Sequence, residues 1–147
     1  MSTTLQIIFG STLLTLCALV HVGIVAASVP VYARLGRRLA HMRPLPRNTA
    51  LLSVGVLLIV AAHTVQVWSW ALAFHAVAAF EDFPTSFYFA TVTYTTLGYG
   101  DLVLGDGMRI FGTFSAITGL LTFGVSTAFL INVIGRLLPA LQAPHSD

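Results

Sequence analysis

The chain has 147 residues, of which 56% are hydrophobic and only 8% charged, with a net charge of +2 and a mean hydropathy of +0.88. A soluble domain of this size carries roughly 25% charged residues, so the composition excludes one and points to a membrane protein of at most one small domain. All seven basic residues are Arg and their excess over acid is small; no nucleic-acid-binding module is recognisable, and the lone Cys17 excludes an intrachain disulfide.

Residues 5–32 form the first apolar segment long enough to cross a bilayer, which takes ~20 residues in a helix. Small residues Ala26, Ala27 and Ser28 resemble a cleavage site, but no Arg or Lys precedes the run and the run is too long for a signal peptide. A retained N-terminal transmembrane helix over residues 1–33 is therefore expected. Cys17 lies inside it and reads as a small packed hydrophobe. Residues 34–49 follow as a basic loop broken by Pro44 and Pro46, with Arg34, Arg37, Arg38, Arg43 and Arg47. These arginines are not spaced every third position within a span, so they do not read as a voltage sensor.

The second span is expected at 50–80. A shorter apolar stretch, about 12 residues long, begins after Pro84; it is too short to cross, and proline suits a helix's first turn. It reads as a re-entrant helix over 84–96. The third span is expected at 108–138, with a short tail at 139–147 too small for a sensor domain. The basic loop belongs on the cytoplasmic side. That puts the N-terminus outside, the C-terminus in the cytoplasm and the re-entrant segment dipping in from outside. Glu81, Asp82, Asp101 and Asp106 then form an acidic outer rim that could attract cations. The arginine loop would also favour anionic lipid.

Between the re-entrant helix and the third span stands Thr95-Thr96-Leu97-Gly98-Tyr99-Gly100-Asp101. This segment resembles the T-V-G-Y-G-D selectivity filter of potassium channels, with Leu97 in the valine place. The approach from Tyr88 to Thr96 has the same aromatic start and T-x-T-T end. The resemblance extends over residues 50–138, about 60% of the chain, to the pore domain of tetrameric potassium channels. It implies an all-α membrane protein with three transmembrane helices, a re-entrant pore helix and a selectivity-filter loop at 96–101, assembled as a homotetramer around a pore in the cell membrane.

A dehydrated potassium ion needs oxygens in place of its water. Backbone carbonyls can supply them if successive ones point the same way, which requires unusual backbone angles that Gly adopts at little cost. Gly98 and Gly100 alternate with Leu97 and Tyr99 at the spacing required. The carbonyls of Thr96, Leu97, Gly98 and Tyr99, with the Thr96 hydroxyl, would hold permeant K+; no other cofactor is expected. The macrodipole at the end of the preceding helix favours a cation there. One chain supplies one strand, so several chains must surround the ion. The resemblance also implies filter support from Tyr88, Phe89 and Asp101, a hinge place at Gly119, and a cavity lined by Leu120, Phe123 and Thr127. Gly119 and Gly124 fit close helix packing as well.

The chain departs from the family's pattern at three places: Leu104 stands where Pro is common, Phe89 where Trp is common, and Val92 where some bacterial members carry a carboxylate. An extra first span is the largest departure. His21, His63, Gln66 and His75 interrupt apolar helices, where polar groups are expensive and need partners. His63 and Gln66 share a helix face and are expected to bond the first span or the third; a pH-sensing histidine is the alternative. Trp68 and Trp70 read as interface anchors. The expected activity is passive potassium conduction with no catalysed reaction. A weakly selective cation channel and a non-conducting subunit or scaffold are the alternatives.

Overall fold

The computed structural model describes residues 1–137. Position 138 and the expected tail at 139–147 lie outside the described residues. Four helices follow one another: α1 (Thr3–Arg38), α2 (Pro44–Ala76), α3 (Phe83–Tyr94) and α4 (Arg109–Leu137). Among the described residues there is no strand. The helices α1, α2 and α4 are long and apolar enough to cross a membrane, and α3, at 12 residues, is not.

At the arginine segment two helix boundaries differ from the sequence reading. At 36 residues, α1 would run about 54 Å, well beyond a ~30 Å hydrocarbon core. Arg34, Arg37 and Arg38 sit on its last turns, and Arg47 lies in the first turns of α2. The connecting loop shrinks to residues 39–43. Arg is a good helix former, and Pro44 stands in the first turn of α2, where its missing N–H is harmless. At its other end α2 stops at Ala76, four residues short of the expected limit. Ala78 adopts a left-handed φ of 52°; its N–H bonds the His75 carbonyl and that of Ala79 bonds the Phe74 carbonyl. This paired pattern is a Schellman stop.

Between helices in lipid there is little hydrophobic driving force, so close packing and hydrogen bonds decide the arrangement. The first helix packs most extensively on α4 and also on α2, while α3 wedges between α2 and α4. The first helix therefore packs chiefly on the third span and only secondarily on the second. Small residues let the backbones approach: the Phe114 ring lies over Gly10, and the Tyr32 hydroxyl lies against Gly55. The core consists of Cys17, Trp70, Ala71, Phe74, Ala90, Tyr94, Leu104 and Phe111. Cys17 is the packed hydrophobe expected. Trp70 is fully buried against Phe74 and Phe111 rather than anchored at an interface. Leu104, in the place where the family often has Pro, is buried and occupies the space beside Gly112.

Gln6 ties the start of α1 to the start of α4. It is buried, and its Oε1 accepts from the N–H groups of Ile110 at 3.1 Å and Phe111 at 3.3 Å. These are first-turn donors that no residue within α4 can satisfy.

Candidate functional site

Asp82 starts α3. Its carboxylate accepts from the Thr85 N–H at 2.7 Å and the Thr85 hydroxyl at 2.8 Å, a helix N-cap. Those bonds, the backbone one foremost, hold the Asp82 carboxyl below its ordinary range. Three of the four rim acids thus have local partners: Asp82 caps, Asp101 accepts from Tyr88, and Asp106 pairs with Arg109 at 2.9 Å.

Beyond Tyr94 the backbone changes hand at every residue. Thr96, Gly98 and Gly100 have φ of 59°, 57° and 78°, whereas Leu97 and Tyr99 keep negative φ. An alternation of this kind can turn successive peptide planes so that their carbonyls face one way, where a regular strand would alternate them. Gly98 and Gly100 adopt the left-handed form freely; Thr96 pays for it in steric strain. The amides of this segment are turned back onto α3. The Thr96 N–H bonds the Thr93 carbonyl at 2.9 Å, and those of Leu97 and Gly98 bond the Val92 carbonyl at 3.0 and 3.3 Å. Among the described residues no hydrogen bond ends on the carbonyls of residues 96–99. A row of free acceptors is left on an exposed segment.

The supporting side chains divide between two faces of α3. The Tyr88 hydroxyl donates to Asp101 at 2.6 Å, which keeps the phenol protonated above its usual range. Leu97 and Tyr99 share a cleft of about 650 Å³ with Tyr88, Phe87, Val92 and Trp68. Trp68 also packs on Phe83 and Phe87, which brings it beside the filter segment. Phe89 does not line this cleft. It packs edge-on to Phe74 at 5.1 Å and beside Phe80 at 5.0 Å, and borders a second cleft with Leu102 and Val103.

On α4, Gly119 lies directly under the Tyr94 carbonyl, where a Cβ would collide with it. Close approach of α3 therefore requires glycine here. Gly124 has no neighbour within 4 Å of where its Cβ would stand. Leu120 and Thr127 are exposed on the unpartnered side of α4. Phe123 instead stacks on His63, with centroids 4.4 Å apart.

The intramembrane histidines find partners that the sequence did not specify. His63 Nδ1 is 2.7 Å from the Tyr94 hydroxyl and its Nε2 is 3.1 Å from Ser126 Oγ. His21 Nε2 lies 2.9 Å from the same Ser126 oxygen. The expected bond from His63 to the third span is present, and Ser126 extends it to the first. Gln66, expected to bond similarly, is buried with neither amide atom partnered. His75 is exposed and meets only the edge of Phe83 among the rings. Ser126 and Tyr94 carried no signal in the sequence, because nothing in a single chain announces a partner 63 or 31 residues away.

Residues 57–136, more than half of the chain, match the ion channel family. The chain belongs to that family. This bears out the family expected from the filter motif, and with three apolar spans it makes the channel a multi-pass membrane protein. The channel is also similar to the potassium voltage-gated channel subfamily A member 2 of Oncorhynchus mykiss, with 36% identity over 100 residues. That alignment covers 67% of the channel and 19% of the relative, so the channel spans about a fifth of the relative's length. No solved structure matches the channel.

Proposed function

We propose that the chain is one subunit of a homotetrameric, potassium-selective channel that conducts passively and catalyses no reaction. The observation that carries this reading is the alternating hand of Thr96, Leu97, Gly98, Tyr99 and Gly100, with amides bonded backward and carbonyls free. Exposed, unpaired backbone at membrane depth is tolerated only where it lines a water- or ion-filled path. Four such rows would give successive rings of oxygens for permeant K+ at Thr96, Leu97, Gly98 and Tyr99. The printed name of the similar fish protein, a potassium channel, supports the same ion.

Tyr88, Asp101, Trp68 and the Tyr99 ring hold the row from behind, and Phe89 meets the neighbouring subunit across its cleft. Gly119, Leu120, Phe123 and Thr127 belong to the inner helix below the filter, Gly119 as both close-packing site and hinge. The N-terminus is outside. The arginine-bearing ends of α1 and α2 face the cytoplasm, where anionic lipid headgroups neutralise them.

Purified chain in planar bilayers, with potassium on one side and an equal concentration of sodium on the other, tests selectivity. The reversal potential should sit far from zero, in the direction of potassium. Equal permeability would overturn potassium selectivity in favour of a weakly selective cation channel, and a tetramer that passes no current would favour a non-conducting scaffold.

A further inference from the structure

Four helices meet at one buried polar cluster, and its hydrogen bonds can be given a direction. Thr122 Oγ1 is 2.8 Å from the Thr118 carbonyl and 3.2 Å from that of Gly119. Carbonyls only accept, so the single Thr122 proton goes to them. The Tyr94 hydroxyl, 2.8 Å from Thr122 Oγ1, must then donate to it, and accepts from His63 Nδ1–H. That leaves His63 Nε2 as an acceptor, filled by the Ser126 hydroxyl. Ser126 Oγ accepts in turn from His21 Nε2–H. The donors run His21, Ser126, His63, Tyr94 and Thr122, the last donating to the Thr118 carbonyl, with every proton used once.

The unpartnered atom confirms which way the row points. His21 Nδ1 is buried with no hydrogen-bond partner. In the direction just given it carries a bare lone pair. Were every bond reversed, it would carry a buried N–H with no acceptor, and an orphaned donor is the rarer and more costly defect. The row also spans the whole channel: His21 lies on α1, His63 on α2, Tyr94 at the end of α3, and Thr122 and Ser126 on α4. Tyr94 is two residues before Thr96, the first left-handed residue of the filter segment, and its carbonyl is the one seated on Gly119.

We propose that His21, Ser126 and His63 are positioning residues that hold Tyr94, and through it the inner end of the filter, so that the extra helix α1 is a working part of the pore. This rests on the channel reading above. Movement of α1 against α4 acts on the row at the His21–Ser126 bond, which ties α1 to the segment that leads into the filter. Loss of His21 or of Ser126 cuts the same link between α1 and His63, so the two losses should act on Tyr94 as one.

Reconstituted tetramers of the full chain carry the test. Ser126→Ala and His21→Leu should each change potassium flux or the potassium-to-sodium permeability ratio by about fivefold to tenfold, the effect of one hydrogen bond. The double variant should do no more than either alone. His21→Gln, whose amide N–H reaches where Nε2–H reaches, should restore wild-type behaviour. Wild-type flux and selectivity in both single variants, even with a lowered melting temperature, would overturn the proposal by leaving a merely structural role. A second measurement is independent of any variant's folding. Nitrogen-15 NMR of histidine-labelled wild-type channel should show His21 protonated at Nε2 and His63 at Nδ1, and the opposite tautomers would overturn the row. A wild type that passes no ion counts against the channel reading itself, whereas a conducting wild type with indifferent variants counts against this inference alone.

Discussion

At the scale of single residues, the filter strand was the most legible part of the chain, and for a physical reason. Left-handed backbone selects glycine, so Gly98 and Gly100 announce two of the three positive-φ positions directly. The third, Thr96, was not legible, because a β-branched residue avoids that conformation; it adopts it here with its N–H tied to the pore helix. Gly119 was ambiguous between hinge and contact, and its position under the Tyr94 carbonyl shows the contact. Gly119→Ala should therefore destabilise the tetramer by about 1–3 kcal/mol through overpacking, read as a drop in melting temperature in detergent, while Gly124→Ala, with open space around it, should leave that temperature nearly unchanged. Equal effects would show that contact with Tyr94 does not distinguish the two glycines. Asp82 gives a pH dependence with a defined sign. Its folded pKa is lowered by the bonds to Thr85, so the folded state prefers the ionised form. The stabilisation is fully present above the ordinary value of 3.8 and is lost as pH falls below it through the depressed folded value. Asp82→Asn should weaken the acid-range loss of stability in a melting curve measured against pH, and an unchanged acid limb would contradict the cap's contribution.

At the scale of elements, the three spans and the short re-entrant helix followed from apolar length alone. Their ends did not. Apolar runs mark where a helix is buried in lipid, whereas α1 and α2 continue past the apolar limit through Arg34, Arg37, Arg38 and Arg47 because these residues favour helix in water as well. The stop at Ala76 depends on a left-handed alanine that no propensity favours. The join between α1 and α4 was hidden for a different reason: Gln6 and its two amide partners are 104 and 105 residues apart. Gln6→Leu keeps the bulk but leaves the part-buried Ile110 donor and the buried Phe111 donor unpaired. It should cost about 1–3 kcal/mol and speed hydrogen exchange at the first turn of α4. Unchanged exchange there would mean that water or a neighbouring group replaces the cap.

At the scale of the whole molecule, a lone chain leaves the filter's own side chains unsupported. Leu97 is 54% and Tyr99 67% exposed, as are the carbonyls' segment and the Leu120 and Thr127 side of α4. These surfaces are in the part of the chain that the family match covers, and the proposed tetramer would close them around one axis. The extra helix sits on α4, the helix whose Gly119 lies under the Tyr94 carbonyl, rather than chiefly on α2. The central claim is that the carbonyls of residues 96–99 face that axis as a ladder of ion sites. Anomalous X-ray diffraction from crystals of the tetramer grown in rubidium tests it most directly. The account predicts anomalous density on the fourfold axis, in successive sites between the carbonyl planes of Thr96, Leu97, Gly98 and Tyr99. An axis without ion density at those planes, or ions bound only at the acidic outer rim, would contradict it.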